Sequence, residues 1–198
     1  MHGLINRAIE MFVRDTYGRK AWVALALHCD LGFNEVEAML TYEDDITLAL
    51  LHELAREQQK PVETLSEDIG TYLVSHPNCE RVRRLLRFSG DNFTEFLRSL
   101  DDLPARARLA VPDLILPRLE LREHNLQHFS LKVVHGPDLP PVFGHALVGL
   151  LRAMADDYGA LVVLDHKGGS AGTEVISVDL LEAAFAEGRS FALGQVPG

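Results

Sequence analysis

Apolar residues recur along the first two thirds of the chain at the three- and four-residue spacing of amphipathic helices. Ile5, Ala8, Ile9, Phe12 and Val13 mark one face of an opening helix, and GRKAWVALALHCDL supplies a second that Gly32 helps to end. Asp44 or Asp45 is placed to cap a third helix, striped by Ile46, Ala49, Leu50 and Leu54. Pro61 stands at the first position of a fourth, along which Val62, Leu65, Ile69, Tyr72 and Leu73 share a side. NCERVRRLLRFSG predicts another helix, whose RVRRLLR run at 81–87 reads as a solvated face of interleaved charges. In FTEFLRSLDDLPARARLAVPDL, residues 93–114, Phe93, Phe96, Leu97, Leu100 and position 104 fall on one inward stripe. Position 104 is a proline, which inside a helix costs roughly 3 kcal/mol or more through a lost donor and a ring clash. The spacing therefore predicts a site that tolerates a break.

After Pro112 the period shortens. Strands are predicted over 118–122 and 129–134, joined by a polar turn at 124–127. A helix over 142–158 carries Phe143, Ala146, Leu147, Leu150, Leu151 and Met154 on one side. ALVVLDHKGGSAGTEVISVDL then predicts a strand, a Gly-rich turn and another strand, with a short helix over 180–187. Helices first and paired strands later define an α+β fold, an N-terminal helical lobe packed on a C-terminal lobe with a four-stranded antiparallel sheet and helices.

The chain has 198 residues, and its 47% hydrophobic content is enough for a substantial core. A formal net charge of -10 argues against nucleic acid or an anionic membrane surface as a partner, since both attract a basic face. Cys29 and Cys79 are isolated, so neither a disulfide framework nor a zinc knot is expected, and a reducing compartment is. Arg7, Glu10, Arg14 and Asp15 interrupt the opening segment and exclude a signal-peptide core, and no run approaches the ~20 apolar residues of a membrane span. A cytoplasmic protein is expected.

Catalytic patterns are absent from the sequence. HKGGSAG leads into a strand rather than a helix, so it predicts a hairpin turn and not a phosphate cradle. His124 and His128 stand four apart, but in strand and turn that spacing separates them by roughly 13 Å. The carboxylates of YEDD suit a helix start. No GxSxG nucleophile signature occurs.

Taken together, MHGLINRAIEMFVRDTYG, AW at 21 and 22, MLTYEDDI, KPVETLSEDIGTYLVSHP, FLRSLDDL and VPDL resemble the heme nitric oxide/oxygen-binding (H-NOX) family in order and spacing. The resemblance covers nearly the whole chain. It implies a single domain over 1–198, with a helical lobe at 1–64, an α+β lobe at 65–198 and heme clamped in a cleft between them. It further implies a sensor of nitric oxide or another diatomic gas, acting on a separate partner such as a cyclic-di-nucleotide enzyme or a histidine kinase, and not an enzyme. Within it, Ile5 and Leu73 match positions on the distal side of the heme, and Leu100 lies in the ligand segment. Pro112 matches the proline that packs against and distorts the porphyrin.

Two departures concern heme directly. The family's proximal histidine falls at Pro104, which has no lone pair to offer iron. The family's Tyr-x-Ser-x-Arg propionate motif is not found in the region LKVVHGPDLPPVFG, and none of Tyr17, Tyr42, Tyr72 and Tyr158 begins one. Three readings follow. His145, in a segment matching the distal wall, ligates heme iron from the other face; or the cleft takes another apolar or tetrapyrrole ligand; or the domain is a heme-free interaction module.

Overall fold

The structure is a computed structural model and describes residues 1–135, 143–170 and 172–191. Helices α1 (Gly3–Thr16), α2 (Arg19–His28), α3 (Asp44–Gln58) and α4 (Val62–Ser75) come first. A 3-10 turn, Pro77–Cys79, leads into α5 (Glu80–Arg87), then α6 (Phe93–Arg98), a second 3-10 turn at Leu100–Asp102 and α7 (Leu103–Ala110). The second half holds β1 (Arg118–Glu123), β2 (His128–Val134), α8 (Phe143–Tyr158), β3 (Leu161–Ser170) and β4 (Thr173–Glu182). The strands form the expected four-stranded antiparallel sheet, in the order β1-β2-β4-β3. Among the described residues, no helix is long and apolar enough to cross a membrane.

Two hydrophobic cores result. Ile9, Phe12 and Val13 of α1 meet Trp22 and Leu25 of α2, Leu50 and Leu54 of α3, and Leu65 and Ile69 of α4. The second core joins Phe93, Phe96, Leu97 and Leu100 to the inward rows of the sheet (Phe129, Leu131, Ile176, Val178) and to Leu147, Leu151 and Met154 of α8. Helix α4 belongs to both, because Val74 packs into the second core while Leu65, Ile69 and Tyr72 pack into the first. The division expected between residues 64 and 65 thus falls inside α4.

Backbone contact fixes α4 against α8. A Cβ on Gly70 would lie 1.9 Å from the Ala146 carbonyl oxygen, and one on Gly149 would lie 1.9 Å from that of Glu67. Thr71 Oγ1 adds a hydrogen bond to the Gly149 carbonyl at 3.2 Å. On the other side of α4, the Tyr72 hydroxyl donates to Asp15 Oδ2 at 2.6 Å, which ties α1 to α4 and holds the Asp15 carboxyl below its ordinary value.

Four local expectations are corrected. The N-cap of α3 is Glu43, so Asp44 and Asp45 lie in the first turn and favour the helix through its dipole rather than as caps. Pro61 is itself the N-cap of α4, one position before the first helical residue. No helix forms over 180–187: residues 180 and 182 pair with β3, and the Phe185 and Ala186 N–H groups donate to the Gly159 carbonyl instead of to carbonyls four residues back. RVRRLLR is not simply a solvated face. Arg83 is buried, its Nε 2.8 Å from Asp157 Oδ1, and Arg87 stacks over the Tyr158 ring with Nη1 3.2 Å from the Asp157 carbonyl. A buried carboxylate is tolerable only when paired.

Two stability measurements check this packing. Asp157→Ala removes the buried carboxylate on which Arg83, Arg87 and Arg189 converge and is expected to lower the free energy of unfolding in urea by about 3–5 kcal/mol. Gly149→Ala gains helix propensity of about 1 kcal/mol but drives a methyl into the α4 backbone, and a net loss of about 1–3 kcal/mol is expected.

Candidate functional site

The segment matching the family's ligand region is built by a change of helical pitch. Asn92 caps α6, its Oδ1 accepting from the Glu95 N–H at 3.0 Å, and Ser99 closes the helix through Oγ to the Phe96 carbonyl at 2.7 Å. The chain then tightens into the 3-10 turn before α7 begins at Leu103. Asp101 Oδ1 pins that turn to β1 by accepting from the Leu121 N–H at 2.6 Å. The tighter turn rotates the following residues, so the stripe continues inward through Leu103, and Pro104 is only half-buried. Pro104 is the second residue of α7, where an N–H would have no partner within the helix. The break anticipated at position 104 is therefore a helix start, and the proline costs little there.

The other matched residues are spread over the two lobes. Leu100 is fully buried in the core of the sheet lobe. Ile5 is half-buried and packs into neither core. Leu73 faces the first core, and its neighbour Val74 is the α4 residue that reaches the core containing Leu100. Pro112 is exposed, between the exposed Leu109 and Ile115. Among the described residues, Leu109, Pro112 and Ile115 thus present exposed apolar side chains along the α7–β1 connection.

His145 lies elsewhere. It sits in the first turn of α8, its ring stacked on His166 of β3 at 4.0 Å and its Nδ1 3.4 Å from Glu67 Oε1. β3 is one edge of the sheet, and β1, on which the 3-10 turn packs, is the other. The structure does not bring His145 together with Leu100 and Pro104. Within 93–117 there is no histidine, cysteine, methionine or tyrosine. The segment exposes apolar side chains at Leu109, Pro112 and Ile115 and offers iron no imidazole, thiolate, thioether or phenolate donor.

Residues 136–142, in the region where the propionate motif was sought, lie outside the described residues. On β2, His128, Ser130 and Lys132 occupy alternate positions and keep the spacing of Tyr-x-Ser-x-Arg with His and Lys in the outer places. They share the face opposite the buried Phe129, Leu131 and Val133, and are engaged by Asp179, His124 and Glu120 respectively. A search for tyrosine alone passes over this row; its spacing is the signal that finds it. His124 and His128 have separate partners and form no metal pair. Within HKGGSAG, Gly169 and Ser170 pair antiparallel with Glu174 and Thr173, with a bulge between His166 and Gly169 where Gly168 takes a positive φ of 73°.

A helical lobe and an α+β lobe sharing one helix, with a 3-10 break where a cofactor ligand segment would lie, define the architecture of an H-NOX sensor domain. The family model described as Haem-NO-binding matches residues 2–163, and the chain belongs to that family. The fold is similar to that of an H-NOX protein from S. oneidensis solved in the Fe(II) ligation state (16% identity, 92% of this chain and 97% of that one, TM-score 0.77). It is also similar to a Cs H-NOX mutant (14%, 94% and 100%, 0.76) and to an H-NOX mutant of T. tengcongensis (15%, 93% and 100%, 0.73). No curated protein matches the sequence.

Pro104→Ala checks the placement of the proline. A stability change below about 1 kcal/mol is expected in urea or thermal unfolding, reflecting only the unfolded-state entropy of proline. A proline buried within a continuous helix would instead give a gain of about 3 kcal/mol on removal.

Proposed function

We propose that this domain is a sensory or regulatory protein, not a catalyst, that takes a heme-type tetrapyrrole between its lobes and passes a diatomic gas signal to a separate protein. The observation that carries this reading is the family's fold, kept across both lobes together with apolar side chains, Ile5, Leu109, Pro112 and Ile115, that neither core uses. Burying such surface against a porphyrin supplies about 25 cal/mol per Å² without any axial bond. When bound, heme supplies the iron at which a gas such as nitric oxide ligates. The chain contributes the apolar walls, and Pro104 contributes no bond to iron. A cyclic-di-nucleotide enzyme or a histidine kinase is the kind of partner that suits the output. The free Cys29 and Cys79 suit a reducing cytoplasm.

The missing donor at position 104 favours a second reading, in which the domain signals through protein contact without heme. Absorption spectra of protein made with excess heme, oxidised, reduced and exposed to nitric oxide, separate the two. A Soret band at stoichiometric occupancy that shifts with nitric oxide is expected. Pro104→His, which the helix start accommodates, is expected to sharpen the band and tighten heme retention, and His145→Ala to leave it unchanged. A spectrum lost in His145→Ala would make that imidazole the ligand in place of binding by the porphyrin faces alone. Folded protein without a Soret band would leave the heme-free reading.

A further inference from the structure

Where α2 ends against α3, an imidazole meets two carboxylates, with a thiol beside them. His28 is the last residue of α2, and Glu53 and Glu57 stand one turn apart on α3. His28 Nδ1 lies 2.9 Å from Glu57 Oε1 and 3.4 Å from Glu53 Oε1. Among the described residues, this is the one set of three or more metal-ligating side chains whose ligand atoms all lie within 4.8 Å of one another. The backbone beneath them is held in place, because Leu25 and Ala26 of α2 and Leu54 and Ala55 of α3 pack into the first core.

The arrangement is electrostatically unfinished. Like charges four residues apart on a helix destabilise it, and here both carboxylates turn toward the same imidazole. Arg56 engages Glu53, its Nε 2.9 Å from Oε2. Glu57 has His28 as its partner and, among the described residues, no ion pair with a lysine or arginine. The Glu53 and Glu57 side chains are 19% and 22% exposed, so water screens the pair only in part. Their field reaches the residue after His28: burial pushes the Cys29 thiol up, and Glu53 and Glu57 push it further. A cation between the two carboxylates would remove their repulsion.

We propose that His28, Glu53 and Glu57 bind a divalent transition-metal ion of the zinc class. One neutral imidazole and two carboxylates form a donor set suited to such an ion, with the fourth position left to water. Ligation uses the Nδ1 lone pair, so the ring carries its proton on Nε2. Glu53 Oε1 exchanges Arg56 Nη2 for the ion, and the Arg56 Nε bond to Oε2 remains to orient the carboxylate. The imidazole belongs to one helix and both carboxylates to the next, so the bound ion cross-links α2 to α3 at the rim of the first core.

Chelator-treated protein titrated with Zn²⁺ by calorimetry, and with Co²⁺ as an optical probe, tests the site. The expected result is saturable binding with a visible Co²⁺ ligand-field band. His28→Ala and Glu57→Gln should each weaken the binding of one equivalent at least about tenfold. His52→Ala, which removes an exposed histidine of α3 outside the set, should leave it intact. Zn²⁺ should also raise the Tm of the wild type more than that of His28→Ala, which lacks the cross-link. His28 is half-exposed and exposed ion pairs contribute little, so both variants are expected to keep the metal-free Tm, and their weaker binding reports ligation rather than misfolding. Wild-type protein that binds no ion, or His28→Ala and Glu57→Gln variants that bind as the wild type does, would overturn the proposal.

Discussion

The crossing of α4 over α8 is the contact on which the rest of the molecule depends. Each helix supplies a glycine where the other supplies a carbonyl, and the two backbones touch with no side chain between them. Every other relation between the lobes follows from it. α4 carries the first core on one side and places Val74 in the second, while α8 covers the sheet. A side chain at either glycine would force the helices apart and open both cores together, because close-packed interiors yield little.

The proline at position 104 illustrates how a local rule and a local exception coincide. Proline is unwelcome inside a helix because it lacks a donor, and welcome at a helix start for the same reason. The 3-10 turn at 100–102 converts one situation into the other. The segment keeps its anchor to β1 through Asp101 and its buried Leu100 and Leu103, with the proline set just past the turn. A helix start that accepts proline thus leaves the packing of the segment intact.

Most of the architecture was legible in the sequence because it rests on short-range periodicity. The helical stripes of α1, α3 and α4 and the alternation in β1, β2 and β4 each follow from spacing within a dozen residues. What was not legible depends on which distant residue comes opposite. Arg83 looks solvated in a run of charges, and only the fold brings Asp157 beneath it. Glu174 is the second residue of β4, with no local sign that its side chain points inward toward His166 of β3 and His135 just past β2. Leu73 and Val74 differ by one residue, about 100° around a helix, which is enough to assign them to different cores. The segment at 180–187 has helical propensity, and β-sheet pairing overrides it. The family resemblance singled out the segment around position 104, but not that the proline opens a helix.

One helix shared by two cores also has a consequence for how the chain folds and comes apart. Neither lobe keeps a complete interior without α4, so partial unfolding of one removes a wall of the other. The two lobes are coupled thermodynamically into a single cooperative unit, and a perturbation that loosens α4 at either end is felt in both.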